Sequence, residues 1–241
     1  MQYRSHRGGS FYTPENTMPA FLNALEQGFE IIETDPVYTK DGKIVLMHDD
    51  TINRTCVNPD GTEIEAPIKV CEHTYEQLAH YDAGLRKGEE FRGTKIPLLE
   101  ELLAAAEGKD VILEMDKKIE TDAIEPLFDL IAKYDVKVCF STADVERIEK
   151  VLSRFPDAYI NYDGPVTDEM LKAVTARVRP ERLYVWIYLD KPNFAWLESI
   201  RKVSKENCAR VKRYARLGIA NVNNPYDVRE ALGFEPDILE V

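Results

Sequence analysis

Short apolar runs alternate along this chain with longer stretches whose apolar residues recur every three or four positions. Runs rich in Val, Ile, Tyr and Phe mark candidate strands at residues 2–6, 30–35, 43–48, 110–116, 136–140, 158–161, 182–187 and 218–222. Helical spacing marks residues 17–27, 98–107, 121–134, 143–154, 167–177 and 204–217. Eight strands alternating with helices predict an α/β fold on a parallel sheet, and a closed barrel and a doubly wound open sheet share that alternation. One stretch breaks the rhythm. Residues 49–97, rich in Asp, Glu, Thr and Gly, read as an insertion after the third strand, with a short helix near 74–80. Loops at the C-terminal ends of barrel strands build active sites, so in a barrel this insertion would stand above the mouth.

Composition narrows the function classes. A chain of 241 residues suits either one barrel-sized domain or two small domains, and we expect a single domain over 1–241 that carries the insertion at about 49–97. Hydrophobic residues make up 44% and charged residues 31%, the balance of a soluble globular chain. The net charge of −12 disfavours nucleic acid and anionic membrane surfaces as partners. It does not exclude a small anionic substrate, because a bound cation inverts the local sign. Cys56, Cys71, Cys139 and Cys208 are scattered without a C-x-x-C pair, which argues against a zinc site or disulfide framework. The first residues lack the apolar run of a secretory signal, and no stretch reaches the ~20 apolar residues of a membrane span. The expectation is a cytoplasmic protein without stable membrane association.

The polar surprises lie early. His6-Arg7-Gly8 ends the first candidate strand and Pro14-Glu15-Asn16-Thr17 opens the first helix. Glu33-Thr34-Asp35 ends the second strand, and His48-Asp49 ends the third. In a parallel barrel all these strand ends converge on one mouth. Asp41-Gly42 is a strong hairpin signal, and a two-residue turn there sets Lys40 opposite Lys43 and Asp35 opposite His48. Glu33 and Asp35 share a strand face, and carboxylates that close repel unless a proton or cation sits between them. Oxygen ligands select hard cations, Mg2+ or Ca2+. Glu114, late in the fourth apolar run, supplies a third carboxylate. His6 and His48 are the candidates for proton transfer, and the planar fork of Arg7 suits a phosphate oxygen. Alone, each feature has a plainer reading, as a solvated strand edge or an ordinary polar residue. Asp49 and Asp50 read as turn residues, Asn16 or Thr17 as a helix cap, and His73 and His80 as solvated. The coincidence at matching strand ends carries the functional reading.

Five motifs follow one another in order: His6-Arg7-Gly8, Pro14-Glu15-Asn16-Thr17, Glu33-Thr34-Asp35, Thr39-Lys40-Asp41-Gly42 and Val45-Leu46-Met47-His48-Asp49. Over residues 4–118 the chain resembles the glycerophosphodiester phosphodiesterases, and Asn53-Arg54-Thr55, Asp82-Ala83-Gly84 and Ile96-Pro97-Leu98-Leu99-Glu100 match further landmarks. The resemblance implies a distorted (β/α)8 barrel of the TIM type and metal-dependent hydrolysis of glycerophosphodiesters to glycerol 3-phosphate and an alcohol. It implies that His6 and His48 are the general acid/base pair and that Glu33, Asp35 and Glu114 ligate Mg2+ or Ca2+. It places Arg7 on the phosphate and Glu15 in the surrounding polar shell, with the 49–97 insertion as a small subdomain that shapes the glycerol pocket. Three departures bear on the substrate. Asp116 stands where the family pattern E-x-K has its lysine, so the phosphate-binding cation is either lost or supplied by Lys118. Trp186-Ile187-Tyr188-Leu189 keeps only the aromatic of a later motif, so Trp186 is a pocket wall or a core residue. The closing motif is shortened to the run from Gly218 to Pro225. These departures raise one alternative, a degenerate member that binds a phosphate ester without turnover.

Overall fold

The structure, a computed structural model, describes residues 1–190 and 199–241. In chain order the elements begin with β1 (Gln2–Ser5), α1 (Met18–Glu26), β2 (Ile31–Thr34), β3 (Pro36–Tyr38) and β4 (Ile44–Leu46). They continue with α2 (Tyr75–Leu78), α3 (Leu99–Ala106), β5 (Ile112–Met115), α4 (Glu125–Ile131), β6 (Lys137–Thr142), α5 (Val145–Arg154) and β7 (Tyr159–Tyr162). The chain then runs through α6 (Asp168–Thr175), β8 (Leu183–Tyr188), α7 (Lys205–Lys212), β9 (Arg216–Ala220), α8 (Pro225–Leu232) and β10 (Ile238–Glu240). Eight strands close a barrel in the order β1-β10-β9-β8-β7-β6-β5-β2. The fold is the (β/α)8 barrel.

The expected third barrel strand at 43–48 is corrected: β4 pairs antiparallel with β3 in a separate two-stranded sheet. Its place in the barrel count goes to β10, a three-residue strand too short to show an alternating pattern. Two compact units make up the chain, Ser5–Lys137 and Met1–Arg4 with Val138–Val241.

In the first unit, β2 and β5 run parallel with Ile31 opposite Ile112 and Glu33 opposite Glu114. Helix α1 starts after Thr17 with Pro19 in its first turn, where a missing N–H costs nothing, and buries Ala20, Phe21 and Ala24. The insertion has its own core: Val45, Met47, Ile52, Cys56, Val70, Leu78, Ala83 and Ile96. At about 1.5–3 kcal/mol per fully buried large aliphatic side chain, such a cluster holds a segment that has little regular structure. The short helix expected near 74–80 is α2, started by reciprocal bonds between Thr74 and Gln77. In the hairpin, Pro36 faces Leu46, Val37 faces Val45 and Tyr38 faces Ile44. That register is one residue from the expected one. The turn holds three residues, Lys40, Asp41 and Gly42, closed by a Thr39 N–H to Lys43 O bond of 2.9 Å. Gly42 takes φ +75°, the left-handed residue that a three-residue hairpin requires. Met47 therefore donates to Asp35 O at 2.9 Å, where His48 was expected opposite Asp35.

In the second unit, β6 to β9 run parallel in sequence order. The helix expected over 204–217 ends at Lys212, because Arg216 already lies in β9. Helix α8, capped by Asn224 with Pro225 at its first position, was not expected. Two arginines of this unit, Arg4 and Arg201, have acids at hand. Arg4 bonds Glu240, and its guanidinium lies 4.7 Å from the Trp186 ring centroid. Arg201 reaches Asp163 Oδ1 at 2.8 Å and the Asp163 carbonyl at 2.7 Å.

Candidate active site

Beyond β1 the chain enters a 3-10 turn, His6–Gly8, in which Arg7 and Gly8 both have left-handed backbones (φ 54° and 80°). Gly8 is required twice over: its φ disfavours any side chain, and a Cβ would lie 2.9 Å from Ala20 Cβ and Phe21 Cδ1. The turn points the Arg7 N–H at Glu33 Oε2, 2.8 Å away, and leaves His6 Nε2 3.9 Å from the same oxygen. The Arg7 guanidinium reaches Glu15 Oε1 through Nη1 at 2.9 Å and stands 3.7 Å from Asp35 Oδ2 through Nε. An Asn16 N–H to Arg7 O bond of 3.0 Å closes the neck of the loop between them.

Asn16 corrects the expectation of a simple helix cap. Thr17 occupies the cap position without a capping side-chain bond, its hydroxyl donating instead to Pro14 O at 2.6 Å. Asn16 itself is buried with φ 52°, a conformation its short polar side chain tolerates. Its Nδ2 donates to Asp35 Oδ2 at 2.7 Å, while its Oδ1 accepts from the Asp35 N–H and the Thr34 hydroxyl, both at 3.3 Å. Asn16 therefore fixes the orientation of Asp35.

His48 follows β4, and its Nδ1 lies 2.7 Å from Asp49 Oδ1. Two hydrogen bonds from Arg54, with support from His48, hold the Asp49 carboxyl down to about 2. An ionised carboxylate only accepts, so Nδ1 of His48 carries the proton and Nε2 keeps its lone pair in the neutral ring. Arg54 binds Asp49 with Nε to Oδ2 at 2.6 Å and Nη2 to Oδ1 at 3.1 Å. It binds Glu15 with Nη1 to Oε2 at 2.9 Å and Nη2 to Oε1 at 2.6 Å. Burial raises the Glu15 carboxyl, but the bonds and charges of Arg54 and Arg7 outweigh it, leaving Glu15 below the usual carboxylate range. These contacts join His48, Asp49, Arg54, Glu15, Arg7 and Asp35 in one network. The reading of Asp49 as a turn residue missed this, and so did the treatment of Arg54 as a landmark only. The signal was present in the sequence as a carboxylate beside His48 and an arginine five residues on.

Glu33, Asp35 and Glu114 are all at most 3% exposed. Glu33 and Glu114 face each other across paired strands, with Asp35 directly after β2. Hard oxygen donors, buried and concentrated this way, have the chemistry to hold Mg2+ or Ca2+. As the side chains lie, no group of three His, Cys, Asp or Glu among the described residues is arranged to hold an ion. Lys118 is half-buried in the turn after β5, three residues beyond Met115. Asp116 continues the β2–β5 ladder, donating to Thr34 O at 3.0 Å. Trp186 belongs to the second unit, 2% exposed and flat against Gly218, where a Cβ would come within 2.3 Å of its ring.

Comparison with known proteins places the chain in a family. The glycerophosphoryl diester phosphodiesterase family model matches residues 6–161. A glycerophosphodiester phosphodiesterase from Caldanaerobacter subterraneus subsp. tengcongensis is 40% identical over 114 residues, 47% of this chain and 44% of that protein. One from Bacillus altitudinis is 42% identical over 99 residues, 41% of this chain and 37% of that protein. The matched stretch thus spans less than half the length of these relatives. Among solved structures, a phosphodiesterase from Oleispira antarctica in complex with its product sn-glycerol 3-phosphate superimposes with a TM-score of 0.77 at 19% identity. That match covers 100% of this chain and 92% of the other, and it speaks for the fold. With the family model spanning well over half of its residues, this chain belongs to the glycerophosphoryl diester phosphodiesterase family.

Proposed function

We propose that this chain hydrolyses glycerophosphodiesters, releasing glycerol 3-phosphate and an alcohol, with His6 and His48 as the acid/base pair. The observation that carries the reading is His48, clamped at Nδ1 by an ionised Asp49 inside the network that also holds Arg7 and Asp35. A clamped imidazole presents Nε2 in a fixed direction, the geometry proton transfer needs. Family membership and the product named for the Oleispira antarctica neighbour support the substrate class.

In this reading one histidine takes the proton of the attacking hydroxyl as the new phosphorus–oxygen bond forms. The other gives a proton to the departing alkoxide as the old bond breaks, so charge never accumulates on either oxygen. Arg7 holds a phosphate oxygen, and its Nε–H has no hydrogen-bond acceptor among the described residues. Lys118 supplies a second positive charge to the phosphate, and Glu15 polarises the surroundings. Glu33, Asp35 and Glu114 would hold the divalent cation, Mg2+ or Ca2+, which supplies charge neutralisation at the phosphate when bound. Asn16 keeps Asp35 turned toward that site.

The test is to incubate the protein with glycerophosphocholine and glycerophosphoethanolamine, with Mg2+, with Ca2+ and with EDTA, and to measure glycerol 3-phosphate. Release that depends on metal and is lost in both His6→Ala and His48→Ala supports the assignment. No release from either diester, while Mg2+ or Ca2+ still binds, sinks it in favour of a phosphate-ester binder.

A further inference from the structure

We infer that Arg54 is a positioning residue that couples the two ends of the active site, setting Arg7 and His48 in a fixed relation through Glu15 and Asp49. The inference rests on the hydrolase reading for its kinetic consequences, and on geometry alone for its structural one.

An arginine has five N–H donors in a rigid planar fork, and four here meet carboxylate oxygens. Nε and Nη2 close on the two oxygens of Asp49, at 2.6 and 3.1 Å. Nη1 and Nη2 close on the two oxygens of Glu15, at 2.9 and 2.6 Å. Each carboxylate then hands one oxygen onward. Glu15 Oε1 also accepts from Arg7 Nη1 at 2.9 Å, and Asp49 Oδ1 also meets His48 Nδ1 at 2.7 Å. Arg7, Glu15, Arg54, Asp49 and His48 thus form a string of alternating charge between the proposed phosphate holder and one proposed proton carrier.

The Arg54 side chain is 48% exposed, and an isolated ion pair at such a site contributes little. Arg54 differs because both its partners are pinned in two places, so moving the guanidinium rotates two carboxylates that each steer a functional side chain. It also joins segments far apart in sequence: Glu15 lies 39 residues before it, on the loop after β1. No contact in that string is backbone to backbone. Asn16 and Met47 both bond Asp35 and so hold the two loops near each other, while the relation between the Arg7 and His48 side chains runs through position 54.

Losing a group that orients a reacting side chain within about 1 Å costs on the order of 10²-fold in rate. Arg54→Ala should lower kcat by roughly 10- to 100-fold while KM changes less and folding is retained. In an Asp49→Asn background the same substitution should cost less than it does alone, because its route to His48 is already cut while its route to Arg7 through Glu15 remains. Millimolar methylguanidinium, which can enter the exposed gap, should restore part of the kcat of Arg54→Ala. Arg54→Lys should remain impaired, since an ammonium cannot hold both carboxylates bidentately. Full activity in Arg54→Lys would overturn the inference, as would independent, multiplicative losses in the Arg54→Ala/Asp49→Asn pair. A readout free of turnover separates this idea from the hydrolase reading: 15N NMR of the His48 ring. In the unaltered protein Nδ1 should carry the proton in the neutral ring, and Arg54→Ala should give a mixed tautomer. An unchanged His48 spectrum in Arg54→Ala sinks the positioning role even if the chain proves a fine hydrolase. A changed spectrum with no hydrolysis leaves the brace standing and removes the enzyme.

Discussion

Charge is arranged differently in the two units of this chain. In Val138–Val241 with Met1–Arg4, the buried guanidiniums named above meet acids one to one, Arg4 with Glu240 and Arg201 with Asp163. In Ser5–Lys137, five carboxylates (Glu15, Glu33, Asp35, Asp49 and Glu114) gather with two guanidiniums, Arg7 and Arg54. A matched buried pair serves the fold, since removing either partner strands the other. A cluster rich in carboxylates has the chemistry to take a cation. The family motifs fall in the unit with the surplus.

The largest test of this contrast is catalytic. His48→Ala should lower glycerol 3-phosphate release by roughly 10²–10⁴-fold, the usual contribution of a positioned acid or base. Unchanged release would remove the surplus unit from the chemistry. Next comes the response to removing a carboxylate. Glu240→Ala should destabilise the protein by about 3–5 kcal/mol, the cost of stranding a buried guanidinium. Glu33→Gln should cost the metal-free protein less, since an amide oxygen still accepts from the Arg7 N–H, and should abolish any increase in melting temperature on adding Mg2+ or Ca2+. Equal destabilisation by both substitutions would erase the distinction between the units.

Smaller effects sharpen it. Gly8→Ala should cost about 1–3 kcal/mol through its left-handed backbone and the contacts with Ala20 and Phe21, read as a lower denaturation midpoint. The smallest effect is a pH dependence. The Asp49 carboxyl titrates at about 2 in the folded protein against 3.8 for the ordinary group. A depressed value means that ionised Asp49 adds stability at and above pH 3.8, and that this is lost as pH falls through about 2. The melting-temperature gap between the protein and Asp49→Asn should be constant near neutrality and shrink below pH 3.8. A gap that widens on acidification would contradict the Arg54 clamp.

Strands followed by turn residues were easy to read, because an apolar run flanked by Gly, Asp or Pro has a strong local cause. Residues 30–35 and 110–116 bracket β2 and β5, and the motifs at their ends identified Glu33, Asp35 and Glu114. The apolar run at 43–48 was also visible, but a buried apolar run looks the same whether it joins a barrel or folds back as a hairpin. Its one-residue register error arose from the turn. Asp-Gly accommodates two- and three-residue loops alike, and the choice here accompanies the Thr39 hydroxyl accepting from the Lys43 N–H at 3.0 Å.

Sequence alone therefore determined an α/β alternation, the family resemblance and a set of candidate histidines and carboxylates, since periodicity and motif spacing are local properties of the chain. Tertiary structure decided which residues hold which. Asn16 orients Asp35 while Thr17 holds the cap position, Asp49 clamps His48 from the bend after β4, and Arg54 reaches back 39 positions to Glu15 while holding Asp49. Side-chain partnerships of that kind depend on where separate loops meet in space, and no spacing along one chain encodes that meeting.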